Sequence, residues 1–154
     1  MGDYDGEIEI PEINYHENNN IGAFSFEKKY RNNLDQEKYM MKSKSHVPII
    51  TLNNFLMYKA PSLIKIDVEG YELNVLKGSD KFLENNNYPP ILFEAWDMVW
   101  FENGKQELLN YINYLGYEIS LNVRQEFVAQ HPKNSVHLKF EKLSNGIINI
   151  IKER

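Results

Sequence analysis

The sequence predicts one α/β domain built on a mostly parallel sheet with an antiparallel edge at its C-terminal end. Two short apolar strands, Leu63–Val68 and Ile91–Ala95, alternate with segments of helical periodicity. Strands that alternate with helices favour parallel pairing, because right-handed crossovers place the helices on the faces of the sheet. Two β-rich segments, Tyr117–Val123 and Glu126–Gln130, are too close together for a crossover and predict a terminal hairpin.

The part of the chain before the apolar strands has weaker patterns. Glu7–Ile10 alternates polar and apolar residues, which predicts a short strand. Residues 12–46 show no clear periodicity and are interpreted as a long loop, a length that is usually functional or mobile in a compact domain. Val47–Leu52 is β-rich, and Asn53 can cap a single helical turn through Tyr58.

Helices are predicted after both apolar strands. Apolar spacing marks Gly70–Lys77, and Ser79 can cap a second short helix. Asn103 begins a pattern that resembles a capping box, and the helix after it presents apolar side chains on one face until Gly116. Ile147–Ile151 is predicted to be an edge strand, because its apolar part is too short for a membrane contact.

Composition excludes several classes of protein. The chain of 154 residues carries a net charge of -5, whereas a nucleic-acid surface needs a basic face. It has no cysteine, so disulfides and thiolate metal sites are excluded. No apolar run approaches the ~18 residues that span a bilayer, and the acidic N-terminus lacks the pattern of a secretory signal. We therefore expect a cytoplasmic protein that binds neither nucleic acid nor membrane.

Acidic side chains stand where the apolar strands end. Asp67 and Glu69 follow the first strand, and Glu94 lies at the end of the second, with Asp97 just beyond. Ligands of an open parallel sheet bind beyond the carboxyl ends of its strands, so these carboxylates are candidates for a functional site. Apolar neighbours can raise a carboxylate pKa towards that of a general base. The alternative is that the acids only stabilise helix N-termini, as Glu69 would before the predicted helix.

The sequence is less specific about aromatic contacts and metal ligands near these acids. Trp96 follows the second acidic strand end, where its ring could line an acceptor pocket or pack in the core. Carboxylates gathered on one rim would suit Mg²⁺, but no metal-ligand spacing occurs in the sequence. The four histidines are scattered along the chain. We therefore expect no metal site.

One motif resembles a known family. The pattern is a strand that reads I-K-I-D-V-E-G, an acid two positions on, V-L-x-G, and a later strand that ends in Glu. Its positions here are Ile64–Gly70, Glu72, Val75–Gly78 and Glu94. This pattern resembles the FkbM family of S-adenosylmethionine-dependent methyltransferases. Upstream, Asn19–Ser25 and Ile50–Leu52 resemble further family segments, although Asn53 replaces the usual Asp.

The resemblance implies a partial Rossmann-like methyltransferase fold. It also implies methyl transfer to oxygen, on a sugar or another small hydroxylated acceptor. By position in the motif, Asp67 is the acid on the cofactor side and a candidate catalytic residue together with Glu69. Glu94 and Trp96 are the candidates for binding the acceptor.

One family feature is not found in the chain. The family begins with a strand and a Gly-rich turn that lets backbone amides approach the cofactor, and no such turn precedes Glu7. We therefore expect residues 1–154 to form an N-terminally truncated domain, with a strand and long loop over 1–46 and an α/β core over 47–154. Such a chain would bind S-adenosylmethionine weakly.

Two hypotheses follow for a chain of this kind. It is either the C-terminal part of an enzyme, which a complementing N-terminal chain would make active, or a non-catalytic remnant or binding module. Whether it is an enzyme by itself is therefore left open. A missing neighbour beside Leu63–Val68 would also expose an apolar strand edge, which predicts self-association.

Overall fold

The computed structural model describes residues 1–14, 16, 24–55, 59–144 and 146–153. The strands are β1 (Gly6–Ile13), β2 (Met40–Ile49), β3 (Ile64–Ile66), β4 (Ile91–Glu94), β5 (Glu118–Val123), β6 (Glu126–Gln130), β7 (His137–Lys142) and β8 (Ile148–Glu153). The α-helices are α1 (Lys28–Asn33), α2 (Glu72–Lys77), α3 (Asp80–Asn85) and α4 (Glu102–Tyr114). Single 3₁₀ turns occupy Glu37–Tyr39, Leu52–Asn54 and Val99–Phe101.

The central sheet is mixed, with the strand order β3-β4-β6-β5. Only β3 and β4 pair in parallel within the described residues, and Ile66 lies opposite Phe93. The expectation of a mostly parallel sheet is therefore wrong for this part of the chain, while α/β architecture and the β5–β6 hairpin are confirmed. The reason is that the hairpin inserts β6 beside β4, and a strand that returns through a tight turn must run antiparallel. A Rossmann-like arrangement stays a prediction.

Residues 12–46, predicted as a loop, contain α1 and most of β2. The predicted strand Val47–Leu52 is only the end of β2, which pairs antiparallel with β1 and not with the central sheet. Periodicity missed β2 because polar cross-strand contacts support it: Lys44 Nζ lies 2.5 Å from Glu9 Oε1. Residues 19–23 of the upstream motif segment Asn19–Ser25 and residues 56–58 of the turn predicted from Asn53 through Tyr58 lie outside the described residues.

Of two further expectations at the C-terminal side, one is corrected and one is confirmed. α4 begins at Glu102 after a 3₁₀ turn and shows no side-chain cap, so Asn103 lies inside the helix and forms no capping box. The predicted strand at Ile147–Ile151 is confirmed as an outer strand, β8, which pairs with the unpredicted β7 in a separate sheet. Among the described helices, none combines the length and apolar character that a membrane crossing requires.

The core lies between the central sheet and helices α2 and α4. Leu76, Leu108 and Ile112 of the helices pack with Ile91 and Phe93 of β4, and all are almost fully buried. An aromatic cluster of Tyr30, Trp96, Trp100 and Phe101 extends this core towards α1, with Trp96 and Phe101 ring centres 5.0 Å apart. The cluster thus fixes α1 against the end of β4, next to the acidic strand ends.

Candidate active site

The structure brings three of the predicted site residues together. Asp67 follows β3, Glu69 lies two residues further, and Glu94 ends β4. Because β3 and β4 are parallel neighbours, their carboxyl ends meet at one edge of the sheet. One oxygen of each of these three carboxylates lies within 4.8 Å of the others. Asp97, by contrast, extends into solvent and forms an ion pair with Lys105 at 3.0 Å.

A strained loop between β3 and α2 positions Glu69. Glu69 has φ of 52° and Gly70 has φ of 91°, two successive residues in the left-handed region. The Glu72 side chain, only 3% exposed, accepts hydrogen bonds from the backbone N–H groups of Val68 and Gly70, each at 3.2 Å. These bonds hold the loop from inside, and a strained non-glycine backbone at such a place is typical of functional sites.

Burial and charge repulsion raise the pKa of two of these acids, Glu69 and Glu94. Burial, followed by the negative charges of Glu94, Asp67 and Glu72, raises the pKa of Glu69 to about 7. Burial and the charges of Asp67 and Glu126 also raise the pKa of Glu94, and the nearby Lys65 opposes that shift. A carboxylate that titrates near neutral pH suits a general base better than an ordinary glutamate does.

A cleft of about 270 Å³ opens beside Glu69 and Glu94. Its lining combines carboxylates, amides and apolar groups: Leu34, Gln36, Glu69, Glu94, Trp96, Met98, Trp100 and Gln125. Trp96 is 8% exposed and packs edge to face on Tyr30, so its packing in the core is confirmed. Trp96 also lines the cleft, and its role in binding an acceptor stays a prediction.

Some lining residues were missed from the sequence. Leu34 and Gln36 lie in the segment interpreted as a loop, where no periodicity signalled their place. Gln125 lies in the β5–β6 turn, and its carbonyl accepts a hydrogen bond of 2.8 Å from the Ala95 N–H. This contact brings the hairpin turn to the end of β4. Only tertiary pairing of β6 with β4 could reveal it.

The acidic group has the oxygen ligands that a divalent cation such as Mg²⁺ takes in proteins. Asp67, however, already has a cationic neighbour, because Lys65 Nζ lies 2.8 Å from its Oδ2. Exposed carboxylates also gather without a metal, so the expectation of no metal site stays a prediction.

Removing the Glu72 carboxylate tests how the loop is held. We expect Glu72→Ala to lower the free energy of unfolding by about 2 kcal/mol, because two inward-facing N–H groups lose their acceptor. Glu72→Gln keeps an acceptor oxygen and should cost much less, since it also removes a buried carboxylate whose pKa is raised by burial. Urea unfolding of both variants measures the difference. Equal losses would contradict this role of the acceptor oxygen.

Comparison with known proteins gives one match. The family model described as the methyltransferase FkbM domain matches residues 2–119. That range includes β1 to β4, all three acids of the site and the first residues of β5, and it ends before β6. Searches among curated proteins and among solved structures gave no match.

Proposed function

Since the chain belongs to the FkbM methyltransferase domain family, we propose that it transfers the methyl group of S-adenosylmethionine to a hydroxyl group of a small acceptor such as a sugar. The observation that carries the proposal is the position of Glu69: its carboxylate lines a cleft at the strand ends, and its pKa is raised to about 7, which suits a proton acceptor. A hydroxyl group attacks a methyl group readily only when its proton is accepted during the step.

Residues of the motif fit the cofactor. S-adenosylmethionine, when bound, supplies a methyl group activated by an adjacent positive sulfur. Asp67 would lie on the cofactor side, where its half-exposed carboxylate can accept hydrogen bonds from hydroxyl groups. The three carboxylates of this rim lie beside Lys65 and leave an excess of negative charge, which also favours a cationic ligand.

Each residue of the cleft has its own role in the proposed transfer. Glu69 would accept the proton of the attacking hydroxyl group. The oxygen–methyl bond would form as the methyl–sulfur bond breaks, and the electron pair of that bond would stay on the sulfur, which leaves as a neutral thioether. Glu94, with its pKa raised by burial, holds a second hydroxyl group of the acceptor. The half-buried ring of Trp100, next to the almost buried Trp96, offers an apolar surface against which a sugar ring can lie. Holding the acceptor hydroxyl group in line with the methyl group lowers the activation barrier more than any single contact does.

Calorimetry and a transfer assay test the proposal in sequence. Without a Gly-rich turn in its sequence, the chain is expected to bind S-adenosylmethionine with Kd weaker than about 100 μM, near −5.5 kcal/mol. Methyl-labelled cofactor at millimolar concentration, mixed with simple hexoses, should then give a labelled acceptor. Micromolar binding would contradict the expectation of weak cofactor binding, whereas release of label to water alone would overturn the proposed transfer to a hydroxyl group.

A further inference from the structure

The C-terminal hairpin of β7 and β8 lies outside the part of the chain that the family model matches. Gln130 at the end of β6 anchors β7: its Nε2 donates to the Leu138 carbonyl at 2.8 Å, and its Oε1 accepts from the Leu138 N–H at 2.5 Å. No other described strand pairs with β8, so β8 forms the outer edge of this hairpin.

One face of the hairpin is mainly apolar. Side chains alternate along a strand and opposite residues share a face, so Leu138, Phe140, Ile148 and Ile150 lie on it together with Lys142 and Lys152, and Phe140 lies opposite Ile150. Phe140 and Ile148 are half-buried over β5, but Ile150 is 60% exposed at the outer edge. A row of apolar side chains therefore runs across the hairpin and ends in an exposed isoleucine.

The hydrogen bonds fix which backbone groups point outward. The Leu143 N–H donates to the Ile147 carbonyl at 2.8 Å, which makes this a hydrogen-bonded pair at the turn. Such pairs alternate with open pairs in an antiparallel ladder, so Asn149 and Ile151 bond to β7. The N–H and C=O groups of Ile148, Ile150 and Lys152 consequently face away from β7.

We propose that two copies of this chain join their β8 strands antiparallel, with a two-fold axis at Ile150. Each Ile150 then exchanges backbone hydrogen bonds with its counterpart, and the apolar row continues as Phe140, Ile150, Ile150 and Phe140 across four strands. A two-stranded hairpin is only marginally stable by itself. A four-stranded sheet with a mainly apolar face is more stable, because it buries that face across more strands. A two-fold interface of this kind uses the same surface twice and closes on itself.

The charges of β8 permit a second copy in this register and oppose two other registers. An axis at Ile150 sets Lys152 opposite Ile148 of the other copy, so the two lysines do not meet. An axis at Lys152 or at Glu153 would set like charges opposite each other, which destabilises a strand pair. The hairpin also carries Lys139, Lys142 and Lys152 against Glu141 and Glu153, so the net charge of -5 is not concentrated there.

The edge strand β3 is a weaker candidate for pairing. It has only three residues, and its exposed Lys65 forms an ion pair with Asp67, in which Nζ lies 2.8 Å from Oδ2. Short edges that carry lysine are a common protection against pairing. The self-association expected from the sequence is therefore assigned to β8.

A single introduced thiol tests this interface, because the chain has no cysteine. A hydrogen-bonded pair at the axis separates the two Cα atoms by about 5.5 Å, a distance that a disulfide spans. Under mild oxidation, Ile150→Cys should form a disulfide-linked dimer at least about 10-fold faster than Val99→Cys, because pairing raises the local thiol concentration. Val99, 96% exposed and far along the chain, is the matched control.

Light scattering of the unmodified chain at tens of micromolar should give the mass of a dimer. Ile150→Lys, which opposes two lysines at the axis, should give the mass of a monomer with unchanged circular dichroism. A monomeric parent chain, open-ended oligomers, a dimeric Ile150→Lys variant or equal cross-linking of Val99→Cys would each overturn the proposal. None of these results bears on methyl transfer, because the hairpin contributes no residue to the cleft.

Discussion

Replacing Glu69 with glutamine is expected to lower kcat for methyl transfer at least about 100-fold, since a positioned base contributes about 10²–10⁴ in rate. Glutamine keeps the size and hydrogen-bonding reach of the side chain but cannot accept the proton. Initial rates with labelled cofactor and a hexose acceptor measure the loss. Glu84→Gln, an exposed change on α3, is the control and should leave the rate unchanged.

The pH profile provides a second check on Glu69. Because its pKa is about 7, the parent rate should rise with pH through that value and level off above it. The residual rate of Glu69→Gln should lack this rise. A parent profile that is flat between pH 6 and 8 would contradict the assignment of Glu69 as the base.

The stability of the folded chain should change with pH in the opposite direction to the rate. The pKa of Glu69 is raised in the folded chain, from its ordinary value of 4.5 to about 7, so between these values the folded state binds more protons than the unfolded state. Stability therefore falls as pH rises through this window. Glu69→Gln removes that penalty and should raise Tm at pH 8 more than at pH 5, as calorimetry can show. A lower Tm at pH 8 would mean that the carboxylate makes net favourable contacts.

Replacing Gly70 with alanine is expected to be the most destabilising single change near the site, at about 3 kcal/mol. Two causes add. The φ of 91° is unfavourable for any side chain, and a Cβ here would lie 2.8 Å from Cδ2 of Tyr30 and 3.1 Å from the Trp96 ring. Both rings belong to the packed aromatic cluster, so moving either ring aside would lose packing contacts and free energy of folding. Urea unfolding measures the loss.

Gly146→Ala separates the two causes. Gly146 has φ of 81°, close to that of Gly70, but a Cβ there meets no atom within 4 Å. Its replacement should therefore cost only the backbone term, about 1 kcal/mol. Losses of the same size at both positions would show that the aromatic rings yield, and would remove the steric part of the argument.

The sequence predicted the centre of the domain well and its margins poorly. β3, β4 and α2 were recognised because apolar strands and helical spacing leave strong local patterns. β2 was interpreted mostly as loop, since the contacts that hold it, such as Lys44 with Glu9, join residues far apart in sequence. β7 carried no pattern of its own, and its place depends on Gln130.

Some residues of the candidate site could likewise be named from the sequence, and others could not. Asp67, Glu69 and Glu94 could be named from the sequence, because an acid after an apolar strand is a local feature and the family motif spans all three. Gln36 and Gln125 could not be named, because they reach the cleft through α1 packing and through the pairing of β6 with β4. Roles for these residues stay predictions until the variants are measured.

By itself, the sequence determined the family, the α/β class and the acids at the ends of two strands. These follow from short stretches of chain, where strand periodicity and a compact motif need no distant partner. Only the tertiary structure decided that the central sheet is mixed, that Trp96 serves both core and cleft, and that Glu69 titrates near neutral pH. Pairing order, burial and charge repulsion depend on which distant segments become neighbours, and a linear pattern does not specify those neighbours.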